Sequence, residues 1–219
     1  YRVLREGGIA CINIGDATRT IKKDFQLFNS HSRIINLCLS LGFVTLPSII
    51  WRKQTNSPNK FMGSGMLPVG AYVTLEHEHI IVLRKGKRRI FNDESSKKVR
   101  RESAFFWEER NKWFSDMWID VKGTKQSLVD NDVRNRSAAY PFELAYRLIN
   151  MFSIKGDTVL DPFLGTGTTT IASISSERNS IGFEIEEDLR SIIDKNILEC
   201  SEFCNKFIDL RVNNHNEFI

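Results

Sequence analysis

Twelve residues near the carboxyl end concentrate the groups that could do chemistry. Val159-Leu160-Asp161-Pro162-Phe163-Leu164-Gly165-Thr166-Gly167-Thr168-Thr169-Thr170 runs from a short apolar stretch through a glycine-rich turn into a hydroxyl-rich helix start. Ser180-Ile181-Gly182-Phe183-Glu184 follows as a second strand ending in an acid. Gly165 and Gly167 let the backbone turn tightly and approach a ligand with no Cβ in the way, while the amino end of the next helix offers free N–H groups. Glu184 stands 23 residues after Asp161, where a strand–helix–strand unit delivers a carboxylate to the two hydroxyls of a ribose. The constellation predicts an adenosine-containing cofactor.

Three ligands compete for it, beside a glycine turn that binds nothing. A nucleoside-triphosphate loop needs Lys after its second glycine, and Gly167-Thr168-Thr169 has none. A dinucleotide asks for a third glycine where Thr170 stands. S-adenosylmethionine has no pyrophosphate, carries a cationic sulfonium and an amino-acid end, and suits an acid such as Asp161 at a strand terminus.

The surrounding pattern supplies elements to hold these residues. Pro141 at a first helical position, followed by Phe142, Ala145, Leu148, Ile149 and Phe152 on one face, predicts a helix running into Gly156. Thr158–Leu160 is a short strand, Thr168–Ser176 a helix and Ser180–Glu184 a strand. Leu189, Ile192, Ile193, Ile197, Cys200, Cys204 and Phe207 stripe a long helix, and 207–212 reads as a further strand. Upstream, the first ten residues read as a helix end feeding a strand over Ile9–Ile14, with a helix over 30–41 stopped by Gly42 and a strand over 43–51. Residues 52–70, rich in Gly and Pro, form a loop long enough to suggest function or disorder. Strands follow over 71–75 and 79–83.

Composition bounds the rest. A chain of 219 residues with 41% apolar, 11% aromatic and 26% charged side chains can bury a core, which excludes global disorder. Its longest apolar runs fall short of the roughly 18 residues of a membrane span, and no charged-then-apolar leader opens it, so a soluble, cytoplasmic protein is expected. Four cysteines make no disulfide framework. Net charge is +4, yet 84–101 holds nine basic residues against Asp93 and Glu94, a local +7 that leaves the remainder near −3. Such an island suggests contact with a polyanion. Glu76-His77-Glu78-His79 alternates two His on one face with two Glu on the other, which reads as a strand edge, and no metal site is expected. The aromatics from Phe105 to Trp118 read as a small core, with base stacking as the other use.

Asp161-Pro162-Phe163-Leu164-Gly165-Thr166-Gly167-Thr168-Thr169 resembles the cofactor motif of DNA methyltransferases that make N6-methyladenine or N4-methylcytosine. Ser137-Ala138-Ala139-Tyr140-Pro141-Phe142-Glu143-Leu144-Ala145-Tyr146-Arg147-Leu148-Ile149 resembles the helix before the family's cofactor strand. Val3–Asp16, Ile49-Ile50-Trp51-Arg52-Lys53 and Glu76–Val82 resemble strands of its catalytic half. With that half first and a variable segment between the halves, the order is similar to the family's beta group.

The resemblance implies an α/β, Rossmann-like methyltransferase sheet with helices on both faces. It implies a catalytic half over 1–84, incomplete at its start, a target-recognition region over 85–130 and a cofactor half over 131–219. S-adenosyl-L-methionine would sit among Tyr140, Pro141, Asp161, Pro162, Phe163, Gly165, Thr166, Gly167, Thr168 and Glu184, with Tyr140 and Phe163 flanking the adenine. The family's catalytic Asp/Ser-Pro-Pro-Tyr/Phe is nowhere in the sequence and is expected before Tyr1. The substrate implied is an exocyclic amino group of a base flipped out of duplex DNA, cytosine N4 slightly ahead of adenine N6. Arg52, Lys53, Lys60, Arg84, Lys85, Lys87, Arg88, Arg89, Lys97, Lys98, Arg100 and Arg101 are the candidates for phosphate or base contact. A cognate restriction endonuclease is the implied functional partner, and monomer and homodimer are both open. The alternative is an inactive methyltransferase-like DNA-binding module.

Overall fold

The structure is a computed structural model that describes residues 1–53, 62–122 and 140–219. The chain divides into two compact units: residues 1–90 with 115–122, and residues 91–114 with 123–219.

The first unit is organised by one strand. His77–Lys85 (β8) pairs antiparallel with Ile9–Ile14 (β1) on one side, and with Phe43–Thr45 (β4) and Ile49–Arg52 (β5) on the other. Met117–Trp118 (β9) adds to β5 in parallel. The run Ile80-Ile81-Val82-Leu83 is buried on both faces, as an unbroken apolar run in a central strand must be. Only His79 of the Glu76–His79 segment pairs on both sides, with Ile14 and Ile50; His77 and Glu78 pair with β5 alone and Glu76 precedes the strand, so the expected edge holds for His77 and Glu78 and not for His79.

Three other expectations change in this unit. Residues 1–8 form turns rather than a helix end. The strand expected over 43–51 breaks into β4 and β5 around Leu46-Pro47-Ser48, since proline supplies no ladder N–H. The strand expected over 71–75 shrinks to Ala71–Tyr72 (β7), which forms a hairpin with Met62–Gly63 (β6). A second hairpin joins Ala17–Ile21 (β2) to Asp24–Phe28 (β3). The helix Ser30–Ser40 (α1) stops where expected, with Leu41 capping and Gly42 at φ +91°. Its Ile34, Ile35 and Cys38 pack with Phe43, Ile81 and Leu83. Trp51 and Trp118 are fully buried, and the Trp51 indole N–H donates to the Val121 carbonyl at 2.9 Å.

The second unit contains Glu94–Glu102 (α2), Trp107–Trp113 (α3), Phe142–Phe152 (α4), Thr158–Asp161 (β10), Thr168–Ser175 (α5), Asn179–Gly182 (β11) and Arg190–Phe218 (α6). Asp93 caps α2 by accepting from the Ser96 amide at 2.8 Å, and Arg100 and Arg101 fall in its last turn, matching the helix dipole. Pro141 is the residue before α4 rather than its first residue. β10 and β11 pair in parallel with α5 between them. Trp113, Ala145, Tyr146, Ile149 and Ala172 form the core, with Phe105, Phe142 and Phe207 packed on it.

The strand expected over 207–212 is instead part of α6, which runs 29 residues. Phe207 packs edge-on to Phe142 and Tyr146. One turn further on, Arg211 forms a two-pronged ion pair with Glu109, and His215 Nδ1 meets Glu108 at 2.8 Å. The spacing 207, 211, 215 is helical, and these three contacts hold the helix on its course. No helix among the described residues is long and apolar enough to cross a membrane.

Candidate functional site

The glycine turn links the carboxyl end of β10 to the amino end of α5. Gly165 (φ +57°) and Gly167 (φ +90°) both occupy the left-handed region, which explains their placement. A Cβ at Gly165 would meet nothing within 4 Å, so the turn presents bare backbone to open space. Gly182, at the end of β11, lies where a Cβ would collide with the Leu164 side chain at 2.6 Å, so its lack of a side chain lets the turn seat against the neighbouring strand.

Two carboxylates stand at the ends of the parallel strands. Asp161 Oδ1 accepts from the Phe163 amide at 3.0 Å, and Oδ2 from the Thr169 hydroxyl at 2.5 Å and the Tyr140 hydroxyl at 3.1 Å. The Tyr140 and Thr169 hydroxyl oxygens also lie within hydrogen-bonding distance of each other, so the two protons are shared among the three contacts. Burial, and then the Asp161 charge, push the Tyr140 phenol well above its ordinary range, so it remains a donor. Glu184 Oε2 accepts from the Gly165 amide at 2.7 Å, while Oε1 accepts from Ile185 and Glu186 at 2.9 and 3.0 Å. Backbone donors, Glu186 and Gly165 foremost, hold its pKa below the usual carboxylate range. The site thus offers two fixed anions, a strip of bare backbone and the side chain of Phe163, 85% exposed. It suits a ligand with hydroxyls and positive charge.

Of the residues expected to hold a cofactor, Tyr140, Asp161, Phe163, Gly165 and Glu184 are joined by these hydrogen bonds or flank the turn. Pro141 is buried, Pro162 is exposed on the turn, Thr166 is buried, and Thr168 opens α5. Sequence reasoning missed two residues. Thr169 completes the Asp161 network, and Asn196 on α6 donates to the Thr166 carbonyl at 3.0 Å. Thr169 lies inside the glycine-turn motif, but nothing local marks Asn196.

The basic candidates divide between the units, residues 84–89 in the first and 97–101 in the second. Several have structural partners: Arg52 with Glu76 at 3.0 Å, Lys53 with Glu78 at 2.9 Å, and Lys85 with the carbonyls of Tyr1 and Leu4. Arg84 donates to the Gly86 carbonyl, Lys97 and Lys98 pair with Glu94 and Glu102, and Arg100 lies over the Phe91 ring. Arg89 is half-buried, whereas Lys87, Arg88 and Arg101 are exposed. Lys60 and residues 137–139 lie outside the described residues.

Asp16, His31 and His79 bring one oxygen and two ring nitrogens within 4.8 Å of one another. Asp16 takes the His31 amide at 3.1 Å and its Nδ1 at 2.7 Å, so the acid caps α1. The His31 and His79 rings stack 4.0 Å apart at 23°. Face-to-face imidazoles aim their in-plane lone pairs along nearly parallel planes rather than at one point, so the cluster reads as a hydrogen-bonded cap, not a coordination shell. Burial raises the Asp16 pKa, but the His31 hydrogen bonds and charge outweigh it and leave the acid below its ordinary range. Burial first, then His31 and His77, push His79 down.

A family model described as DNA methylase, of the N6/N4 type, matches residues 1–195. Type II methyltransferase M.MthZI of Methanothermobacter thermautotrophicus is 56% identical over 218 residues, covering all of this chain and 61% of the relative. Type II methyltransferase M.MjaI of Methanocaldococcus jannaschii is 54% identical over 197 residues, covering 90% of this chain and 63% of the relative. The chain thus spans about three fifths of the length of these relatives. A Thermus thermophilus protein, assigned by inference as a DNA modification methylase and solved in complex with S-adenosyl-L-methionine, superimposes with a TM-score of 0.73. That match has 30% identity and covers 91% of this chain and 72% of the other.

Proposed function

This chain belongs to the N6/N4 DNA methylase family, and on that footing we propose that it works in a site-specific DNA methyltransferase, moving a methyl group from S-adenosyl-L-methionine to an exocyclic amino group of a base in duplex DNA. The observation that carries the reading is the pair of fixed carboxylates, Asp161 and Glu184, around the open glycine turn. When bound, S-adenosylmethionine supplies a methyl group on a cationic sulfonium.

The residues around it bind and orient. Glu184 keeps its charge because three backbone amides satisfy it, and its unused lone pair is the acceptor for a ribose hydroxyl. Asp161, held by Tyr140 and Thr169, sets negative charge at the end of β10 to favour a cationic ligand. Phe163 and Tyr140 are the apolar surfaces suited to an adenine ring. An exocyclic amine is itself the nucleophile once its lone pair leaves conjugation with the ring, so positioning carries most of the catalysis. Target recognition falls to residues 85–130, and Lys87, Arg88 and Arg101, exposed and without ion partners among the described residues, are the leading phosphate contacts. Cytosine N4 is the favoured acceptor over adenine N6, within a restriction–modification pair.

Labelled S-adenosylmethionine and mixed genomic DNA, incubated with the natural full-length protein and followed by nucleoside analysis, test this. Label in N4-methylcytosine or N6-methyladenine supports the reading and identifies the base. Cofactor and DNA binding without transfer would replace it with an inactive DNA-binding module.

A further inference from the structure

The two hairpins of the first unit have no role in the reading above, and their surfaces differ in kind. β2 and β3 are joined by Lys22 and Lys23, both at positive φ (50° and 74°), a turn that suits the twist of a two-stranded ribbon. With Arg19 the ribbon has three exposed cations against Asp24. The second hairpin, β6–β7, carries Ser64–Gly70 at its tip. There the Ser64 hydroxyl donates to the Leu67 carbonyl at 2.6 Å and its amide to the Gly70 carbonyl at 2.9 Å. Gly63, at φ +70°, brings the tip so close that a Cβ would overlap the Gly70 carbonyl and the Tyr72 ring.

The tip satisfies its own backbone yet turns its apolar side chains outward: Met66 is 88% exposed, Leu67 69% and Val69 97%. A loop that orders itself while exposing Met, Leu and Val is shaped for a partner rather than for the core. Tyr72 stacks on Phe25 with ring centroids 4.4 Å apart and planes 8° apart, which fastens the apolar tip to the basic ribbon.

We propose that the paired hairpins grip duplex DNA, the ribbon on the phosphates through Arg19, Lys22 and Lys23, and the tip as a wedge whose Met66 and Leu67 enter the base stack and hold the target base out. This deepens the methyltransferase reading and rests on it. Apolar wedges of Met, Leu and Pro are a recurrent way to unstack a base step. Extruding a base breaks its stacking and pairing, a cost that a side chain filling the vacated space offsets. The adjoining positive charge selects a polyanion whose interior is apolar, and base-stacked nucleic acid has both properties; a purely apolar protein groove would gain nothing from the three cations.

The test uses the natural full-length protein on a short duplex carrying the target sequence, mapped from the genomic DNA it methylates. A second duplex carries a mismatch opposite the target base, which is already partly unstacked. The double variant Met66→Ser with Leu67→Ser is expected to bind matched duplex within about threefold of wild type. Its methylation rate there should fall at least tenfold, and the mismatched duplex should restore most of it. Fluorescence of 2-aminopurine placed beside the target base, which rises when its neighbour leaves the stack, should fall in parallel. Met66→Phe, which keeps a large apolar tip, should stay near wild type and separates a wedge from a folding defect. Arg19→Ala, Lys22→Ala and Lys23→Ala together should flatten the salt dependence of binding while leaving the matched-to-mismatched ratio unchanged. A Ser variant as fast as wild type on matched DNA, or equally slow on both duplexes, overturns the wedge. Wild-type protein that methylates no DNA overturns the parent reading, a separate outcome seen before any variant is made.

Discussion

Glu184 is the residue on which the cofactor reading can be tried most directly. Its carboxylate is anchored by Gly165, Ile185 and Glu186 amides and adds no packing to the core. Glu184→Ala should therefore leave the fold intact and weaken S-adenosylmethionine binding about tenfold to a hundredfold, the worth of a lost hydrogen bond to a charged group. Calorimetric titration with the cofactor checks it, and unchanged affinity removes Glu184 from the ribose role. Asp161, the two glycines and Glu184 were legible in the sequence because a βαβ unit brings them together through local geometry alone. The union of Tyr140, Asp161 and Thr169 was not, since it depends on where α4 lies relative to β10, and spacing along the chain is silent on that. The structural duties of Lys85, Lys53 and Arg52 were hidden for the same reason: a cation's partner is a tertiary fact.

Among the elements, β9 shows what a two-residue strand can do. Trp118 is fully buried beside Trp51, and the Trp51 indole is the donor that satisfies the buried Val121 carbonyl. Trp51→Phe keeps an aromatic side chain but orphans that acceptor and leaves a cavity where the indole's second ring stood, so the first unit should lose about 1 to 3 kcal/mol for the acceptor and more for the cavity, read from the urea midpoint. Helices α1 and α5 and strands β1, β8, β10 and β11 could be read from apolar period and glycine stops; β9 could not, being too short for any periodicity to show. The 207–212 segment misled because its β-branched and aromatic residues fit a strand taken alone, whereas Arg211 and His215 reach the acids of α3 only from a helix. At this scale too lies the fate of the basic island. Neutralising Arg88, Arg89, Arg100 and Arg101 together should lower the log–log salt slope of DNA binding by up to roughly 0.9 for each phosphate that a removed charge had neutralised. An unaltered slope would make the island plain surface.

For the whole molecule, the proton balance points one way. His79 and Asp16 both have folded pKa values below their unfolded ones. The unfolded chain therefore binds more protons on acidification, and stability falls with pH. Their contributions are complete above the ordinary imidazole value of about 6.5. The His79 share goes first as pH drops from there, and the Asp16 share is lost as pH falls through its depressed value, below about 3.8. Urea midpoints from pH 8 down to pH 3.5 should decline, with His79→Gln removing the upper part of the decline; a flat profile would contradict the buried-histidine account.

The family match ends at residue 195, while α6 continues to Phe218. Asn196, one position past that limit, holds the Thr166 carbonyl of the glycine turn, and Phe207, Arg211 and His215 cover the core and clamp α3. The end of the family match is thus not a boundary of folding here, and the archaeal relative that aligns over 218 residues carries the likeness through the rest of the helix. Anyone trimming the gene to the span of the family match would cut through the brace of the glycine turn, and the shortened product should come out of expression insoluble, or soluble with that turn loosened, as amide hydrogen exchange at Gly165 and Gly167 would show.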